Sequence, residues 1–258
     1  MVFMKKVEWH NMNAELETQK TIADRLVAAL QQDEFVLYAQ SIVPLATQGD
    51  NRAFQEIFVR FKEEDAKLLP PGTFFPVLEE CRLLPYLDRW VVNRLARFVR
   101  SGLKFQPDWK IPRYNVNLSK ETLADPKFGD YVLKYVDNSY LSDGALGFEI
   151  SCDSAIANRE PLRRLMTGLR PHGCNLTVSS FDGSEALLAK LKALEPEFVK
   201  ISALSVDPAK VSEINRMCHS LRARTIAENI ENARVLEHLR RCKIDFGQGF
   251  EISQVEAL

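Results

Sequence analysis

Short runs in which apolar and polar residues alternate recur along the chain, separated by stretches of helical length. A period of two indicates β-strands. Eight such runs occur, at residues 35–45, 54–61, 114–119, 145–151, 175–181, 198–202, 224–229 and 244–250. Strands that alternate with helices predict a mainly parallel sheet. Eight of them in one domain favour an α/β fold of the TIM-like (β/α)8 barrel type. An open doubly wound sheet is the alternative, and the lack of a Gly-rich phosphate loop counts against it.

The connections between the runs predict one hairpin and several helices. A short polar loop at residues 48–52 joins the first two runs, which indicates a hairpin and therefore at least one antiparallel strand. Residues 13–30 carry an apolar stripe at helical spacing, and residues 74–99 predict a single helix. The first helix is either packed on the domain or the end of a signalling linker, and its direct run into the first strand favours packing. Helix starts are expected at Asp125-Pro126, Asp207-Pro208 and Asn232.

Charged and amide side chains stand at or near the ends of several predicted strands. These residues are Glu56, Asn117, Glu149, Lys200 and Glu228. In a parallel barrel the carboxyl ends of the strands meet at one mouth, where active sites form. Three carboxylates there would repel one another unless a cation lies between them, and such oxygen-rich clusters suit Mg²⁺ or Mn²⁺. The alternative is ordinary: each glutamate is solvated or ion-paired, and Lys200 simply neutralises Glu149 or Glu228.

Composition narrows the class of protein. The 258 residues are 46% hydrophobic, and 34 basic against 35 acidic residues give a net charge of −1, so no global field attracts nucleic acid or an anionic membrane. Five scattered cysteines without a CxxC pair are typical of a reducing cytosol. No apolar run approaches the roughly 18 residues of a membrane span. We assign residues 1–24 to a leader and the start of the first helix, and residues 25–258 to the barrel.

The ordered motifs resemble those of the EAL domain, the bacterial cyclic di-GMP phosphodiesterase module, from about residue 26 to residue 250. The matching segments are FVLYAQSIVPL, QEIFVR, LPYLDRWVV, VNLS, FEIS, VKIS, AENIE and DFGQGF. The resemblance implies a modified (β/α)8 barrel with one antiparallel strand. It also implies a reaction in which two divalent ions activate water to open cyclic di-GMP.

Carried over position by position, the resemblance assigns roles to individual residues. Glu56, Asn117, Glu149 and Glu228 match metal-site positions, and Lys200 matches the lysine that orients or activates the water. Positions that lie near the ligand in the family are matched by Gln40, Arg60, Asp88, Glu231 and Gln248. Of these, Arg60 is suited to a phosphate oxygen through charge-assisted hydrogen bonds.

The pattern breaks where the family holds its metals. Ser179 and Ser180 replace a pair of aspartates, and Ser202 replaces a third aspartate. Cys152 stands in place of a second acid, and Asp182 is displaced from the aspartate pair. A neutral hydroxyl is a far weaker Mg²⁺ ligand than a carboxylate. We therefore expect no bound metal cofactor and no catalytic residues, only remnants of the site at Glu56, Lys200 and Glu228.

Three functions follow from this degenerate EAL-like pattern. The first is a cytoplasmic receptor that binds cyclic di-GMP without metal and biases contact with a protein partner. The second is a protein-interaction regulator that no longer binds nucleotide; Phe58, where the family is mostly aliphatic, favours it by crowding the base pocket. The third is a weak phosphodiesterase that still uses Mg²⁺ or Mn²⁺. A homodimer is compatible with all three, since family members commonly dimerise.

Overall fold

A computed structural model describes residues 23–45, 52–62, 68–69, 71–136, 141, 144–203 and 208–258. The strands are β1 (Phe35–Pro44), β2 (Phe54–Lys62), β3 (Leu68–Leu69), β4 (Arg113–Asn117), β5 (Leu146–Ser151), β6 (Asn175–Ser179), β7 (Phe198–Ser202), β8 (Arg224–Glu228), β9 (Phe246–Gly247) and β10 (Glu256–Ala257). The helices are α1 (residues 23–31), α2 (Pro71–Glu80), α3 (Leu84–Phe105), α4 (Phe128–Val136), α5 (Cys152–Ala157), α6 (Arg159–Leu169), α7 (Glu185–Leu191), α8 (Val211–Ser220) and α9 (Ala233–Arg241). Short 3₁₀ turns occur at Thr122–Ala124, Arg170–His172, Lys192–Leu194 and Pro208–Lys210.

Eight strands close into a barrel, as the sequence predicts. The order around the barrel is β1, β2, β4, β5, β6, β7, β8 and β9, and β9 pairs back with β1. β1 runs antiparallel to both of its barrel neighbours, and the remaining barrel neighbours are parallel. β3 and β10 add to the edges of β2 and β1 outside the closed barrel. The predicted hairpin between the first two strands is therefore confirmed, although residues 46–51 of its loop lie outside the described residues.

The single helix predicted at residues 74–99 is wrong. The chain forms α2 and α3 instead, separated at residues 81–83. Arg82 adopts a left-handed φ of 55°, a conformation that ends a helix, and the proline at the start of α3 has no N–H to continue the preceding hydrogen-bond ladder. The apolar periodicity runs through this break because both helices pack on the same barrel wall.

Of the three predicted helix starts, one is confirmed, one lies a few residues early, and one falls outside the described residues. Asn232 caps α9, where its side chain accepts a hydrogen bond of 3.0 Å from the backbone N–H of Val235. Asp125 precedes α4 but bonds the N–H of Lys127, so the helix begins only at Phe128. Asp207 lies outside the described residues, as do residues 1–22, which include most of the predicted first helix. The described part of that helix packs on the domain.

Two apolar regions hold the barrel together. The larger fills the space between the strands and the surrounding helices and includes three buried cysteines as free thiols. The smaller is a plug inside the barrel, formed by Ile42, Phe54, Phe198, Ile226 and Phe246. Three of these residues begin parallel strands of the barrel, so the plug closes its amino-terminal end. Burial of each large side chain contributes about 1.5–3 kcal/mol. The polar residues of the barrel interior therefore lie toward its carboxyl-terminal end.

Candidate functional site

Lys200 lies at the centre of a cluster of carboxylates inside the barrel. Its Nζ atom is 2.5 Å from Glu56 Oε2, 3.0 Å from Glu149 Oε2 and 3.5 Å from Glu228 Oε2. The lysine side chain is 1% exposed. Burial alone would lower the pKa of this ammonium group, but the three carboxylates together raise it. Lys200 is therefore a permanent cation that neutralises part of the surrounding negative charge.

The side chains of the cluster come from different places along their strands. Asn117 and Glu228 are the last residues of β4 and β8, as predicted. Glu56 is only the third residue of β2, so its predicted place near the end of the strand is wrong. The reason is that β2 is in parallel register with β4 only as far as Ile57 and then continues to Lys62 as a hairpin with β1. Glu56 thus lies near the end of the parallel part of its strand.

Amide side chains on β4 and just after β9 bond the Glu56 carboxylate. Asn117 Nδ2 donates a 3.0 Å hydrogen bond to Glu56 Oε1, and Gln248 Nε2 donates a 2.8 Å hydrogen bond to Glu56 Oε2. Gln248 Nε2 is also 3.1 Å from Gln40 Oε1, while Gln40 Nε2 donates to the carbonyl of Ser253. Two residues predicted to bind ligand, Gln40 and Gln248, are therefore buried members of the carboxylate cluster.

Asn115 belongs to the site but was missed in the sequence. It is fully buried; its Nδ2 lies 2.5 Å from Glu149 Oε2, and its Oδ1 accepts a hydrogen bond from Thr177 Oγ1 at 3.0 Å. Burial, reinforced by the charge of Glu56 and opposed by Lys200, raises the pKa of Glu149 to about 7. The signal that could have revealed Asn115 is the Asn-Val-Asn alternation, which puts Asn115 and Asn117 on one face of β4.

The three serines that the resemblance places at aspartate positions lie at or just beyond the ends of β6 and β7. Ser179 ends β6 and is half-buried, and Ser180 follows it, exposed, with a left-handed φ of 58°. Ser202 ends β7 and is half-buried, with Asn229 Nδ2 3.4 Å from its Oγ. Asp182 is exposed and accepts a hydrogen bond from the N–H of Ser184 next to α7, so it does not join the cluster.

The residue predicted to stand in place of a second acid, Cys152, is buried. Cys152 begins α5 and is 1% exposed. Burial, with a smaller contribution from Asp153, raises the pKa of its thiol to about 11, so the group is neutral at physiological pH.

A cavity of about 600 Å³ opens beside the cluster, within the size range of small-molecule sites. Its polar and apolar lining includes Glu56, Phe58, Asp88, Asn117, Glu149 and Ser179. Asp88 Oδ2 accepts hydrogen bonds from the N–H and Oγ of Ser119 at 2.9 and 2.6 Å and from Thr122 Oγ1 at 2.5 Å. Burial raises the pKa of Asp88 to about 6 despite these bonds. Its ligand role stays a prediction.

The two remaining ligand candidates lie outside this cavity lining. The guanidinium carbon of Arg60 is 5.6 Å from the ring centre of Tyr38 and 5.9 Å from that of Phe58. Arg60 Nη1 donates to the carbonyl oxygen of Val59 at 3.0 Å. Glu231 is exposed in the segment between β8 and α9. Within the part of the chain that the structure describes, no group of three or more His, Cys, Asp or Glu side chains is arranged to hold a metal ion.

The protein is a closed (β/α)8 barrel with one antiparallel barrel strand, and a carboxylate cluster lies toward one end of it. The family model of the EAL domain matches residues 23–255, so the chain belongs to the EAL domain family.

No helix in the described ranges is long and apolar enough to cross a membrane.

Two curated relatives match most of the chain. The cyclic di-GMP phosphodiesterase PdeF of Escherichia coli is 26% identical over 255 residues, which cover 96% of this chain and 33% of the relative. The cyclic di-GMP phosphodiesterase PdeB of Shewanella oneidensis is 27% identical over 244 residues, which cover 92% of this chain and 28% of the relative. The chain thus spans about a third of the length of these relatives.

Solved structures share the fold. The FimX EAL domain from Pseudomonas aeruginosa bound to c-di-GMP superposes with a TM-score of 0.78 at 23% identity, over 90% of this chain and 94% of that one. The Xanthomonas citri FimX EAL domain in complex with c-diGMP gives a TM-score of 0.82 at 20% identity, over 95% of this chain and 97% of that one.

Proposed function

We propose that this domain is a receptor for cyclic di-GMP that does not hydrolyse it, acting in bacterial second-messenger signalling in the cytosol. The observation that carries the proposal is the convergence of three glutamates on the buried ammonium of Lys200, beside a rim where serines replace aspartates. Occupation of the barrel mouth by the ligand would bias contact with a protein partner.

The donor set fits a pair of divalent cations poorly. Three glutamates and Lys200 carry a formal charge of −2, and hydroxyls at Ser179, Ser180 and Ser202 add none. Lys200 Nζ already lies 2.5–3.5 Å from all three glutamates, so a divalent cation would meet a fixed positive charge in the same cluster. Hydroxyls also bridge cations poorly.

The same rim suits binding without hydrolysis. Fewer carboxylates reduce the repulsion felt by the two phosphodiester groups of the ligand, and Arg60 stands on the hairpin above the cluster to pair with one of them. The cavity beside the cluster offers apolar surface for a base together with the Asp88 carboxyl as an acceptor for guanine N–H groups. The two FimX EAL domains that share this fold are bound to c-di-GMP in their solved structures, which supports the choice of this ligand.

The test is a calorimetric titration with cyclic di-GMP, with and without Mg²⁺, followed by chromatography of the same samples. We expect saturable binding by the wild type in both conditions and no linear product. Arg60→Ala should weaken binding about tenfold or more, because hydrogen bonds to charged groups are worth about 1.5–3 kcal/mol. Arg97→Ala is the matched control, since Arg97 is an exposed arginine on α3 paired with Asp33.

The outcomes separate the competing functions. No saturable binding at micromolar ligand would exclude the receptor and favour a protein-interaction regulator, whose capture of a partner is insensitive to cyclic di-GMP. Slow formation of linear product that vanishes in Lys200→Ala would favour a weak phosphodiesterase. Binding that is equally weakened by Arg60→Ala and Arg97→Ala would refute the assigned role of Arg60.

A further inference from the structure

The β1–β2 hairpin presents a ladder of side chains that rises from the cluster toward the mouth. In the antiparallel register Gln40 faces Glu56, Tyr38 faces Phe58, and Val36 faces Arg60. Residues two apart share one face of a strand, so Glu56, Phe58 and Arg60 all point the same way. The deepest pair belongs to the carboxylate cluster, and the next pair is aromatic on both strands. We call this pair, Tyr38 and Phe58, the aromatic rung.

The guanidinium group of Arg60 folds back over the aromatic rung. Its central carbon lies within 6 Å of both ring centres, the distance at which cations are attracted by the face of an aromatic ring. The hydrogen bond from Nη1 to the carbonyl of Val59 fixes the group further. Four residues of extended strand separate Arg60 from Glu56, about 13 Å at 3.3 Å per residue. Glu56 is ion-paired with Lys200 instead, and no ion pair between Arg60 and Glu56 occurs among the described residues.

The two rings differ in what else they touch. Phe58 is half-buried and also lines the cavity beside the cluster, together with Glu56 and Asp88. Tyr38 is half-buried on the neighbouring strand and is not among the described residues that line this cavity. Phe58 therefore borders the cavity, whereas Tyr38 contacts the guanidinium of Arg60.

We propose that the aromatic rung is an affinity element of this barrel: Tyr38 and Phe58 position Arg60 for a phosphodiester group, and Phe58 also stacks against a purine base. The inference rests on the proposed function, since it names how the same mouth recognises its ligand. Aromatic rings stack on any base, and a preformed cation loses less freedom when it binds an anion. Phe58 then contributes to the base pocket instead of crowding it.

The experiment is a double-mutant cycle on cyclic di-GMP affinity, measured by calorimetry. Tyr38→Leu and Phe58→Leu should each raise Kd about fivefold, equivalent to about 1 kcal/mol, while Tyr38→Phe and Phe58→Tyr should stay within twofold of the wild type. In an Arg60→Met background, which removes the cation, the effect of Tyr38→Leu should largely vanish, because it acts through the guanidinium. The effect of Phe58→Leu should persist in part, because that ring touches the ligand itself. Phe105→Leu, at an aromatic side chain that is 89% exposed, is the control.

The results that would overturn the inference are distinct from those that would overturn the proposed function. If the wild type binds and both leucine variants stay within twofold of it, the aromatic rung has no role. If the loss in Tyr38→Leu is the same with Arg60 and in the Arg60→Met background, Tyr38 does not act through the guanidinium, and the positioning role is refuted. Absence of binding by the wild type would instead refute the receptor function, and the rung with it. Thermal melts of all variants separate loss of binding from loss of folding.

Discussion

Lys200 decides the electrostatics of the barrel interior. One ammonium group meets three carboxylates at 2.5–3.5 Å, and all but Glu228 are almost fully buried. A buried charge is tolerated only when it is paired and hydrogen-bonded. The excess of acids over the single base leaves Glu149 with a pKa raised to about 7, because burial and the neighbouring Glu56 both disfavour its ionised form.

This raised pKa predicts a pH dependence of stability. The pKa of Glu149 is higher in the folded state than its ordinary value of 4.5, so the folded protein holds this proton more tightly than the unfolded chain does. The resulting contribution to the free energy of unfolding is complete below pH 4.5 and is lost as pH rises through about 7. The loss amounts to about 3 kcal/mol for a shift of this size. In Glu149→Gln that loss is absent. Urea unfolding at pH 5, 6, 7 and 8 should therefore show the wild type losing stability relative to Glu149→Gln.

Glu160→Gln is the control for this titration. Glu160 is an exposed glutamate paired with Arg163, with 55% of its side chain accessible. The difference between this variant and the wild type should change little with pH. A wild type that gains stability over Glu149→Gln as pH rises would mean that the folded protein favours the ionised carboxylate, which is the opposite of the expected result.

At the scale of elements, turn and cap chemistry decides where helices begin and end. The residue type of Asn232 predicts a helix start, and its side chain caps α9. The break between α2 and α3 was missed although Pro85 signals it, because the apolar spacing continues across the break. The left-handed φ of Arg82 has no comparable signal in the sequence.

Substitution of the cap on α9 tests this reasoning. Asn232→Ala should lower the free energy of unfolding by about 1 kcal/mol, because the N–H of Val235 loses its acceptor. Asn232→Gly should cost only a few tenths of a kcal/mol, since glycine is tolerated at this position. Denaturant unfolding of both variants measures the difference. Equal losses in the two variants would show that the Asn232 side chain contributes through contacts other than the cap.

At the scale of the whole molecule, the barrel divides into an apolar end and a polar end. Phenylalanines at the starts of strands fill one end, and the cluster around Lys200 occupies the interior toward the other. The sequence predicts the eight strands and their order. Apolar and polar residues alternate within each strand, strands alternate with helices along the chain, and tertiary packing keeps both patterns. The contacts among side chains do not follow as readily: Asn115 was missed, and the early position of Glu56 in β2 depends on how far the hairpin extends beyond the barrel.

The same difference between strand pattern and side-chain contacts explains where the predicted ligand-binding residues lie. A sequence shows which residue types recur at strand ends, but the side-chain partners depend on register and depth. Gln40 and Gln248 therefore prove to be bound to the carboxylate cluster, while Arg60 rests on two aromatic rings. Neither arrangement is visible in spacing alone, since both require strands that are distant in sequence or a guanidinium that folds back on its own strand.

The central claim is that hydroxyls at Ser179, Ser180 and Ser202 leave the rim too weakly anionic for metal-dependent hydrolysis. The most direct measurement compares linear dinucleotide formed from cyclic di-GMP with Mn²⁺ by the wild type and by Ser179→Asp/Ser180→Asp/Ser202→Asp. Position 180 has a left-handed φ, which aspartate tolerates better than most residues. A triple change to aspartate at the exposed serines 101, 212 and 220 is the matched control.

We predict product only from the rim variant, at a rate at least about a hundredfold above the wild type, because metal assistance is worth several kcal/mol and each ~1.4 kcal/mol is a factor of ten. The control variant should match the wild type. Turnover by the wild type equal to that of the rim variant would contradict the central claim, as would a folded, Mn²⁺-binding rim variant that forms no product.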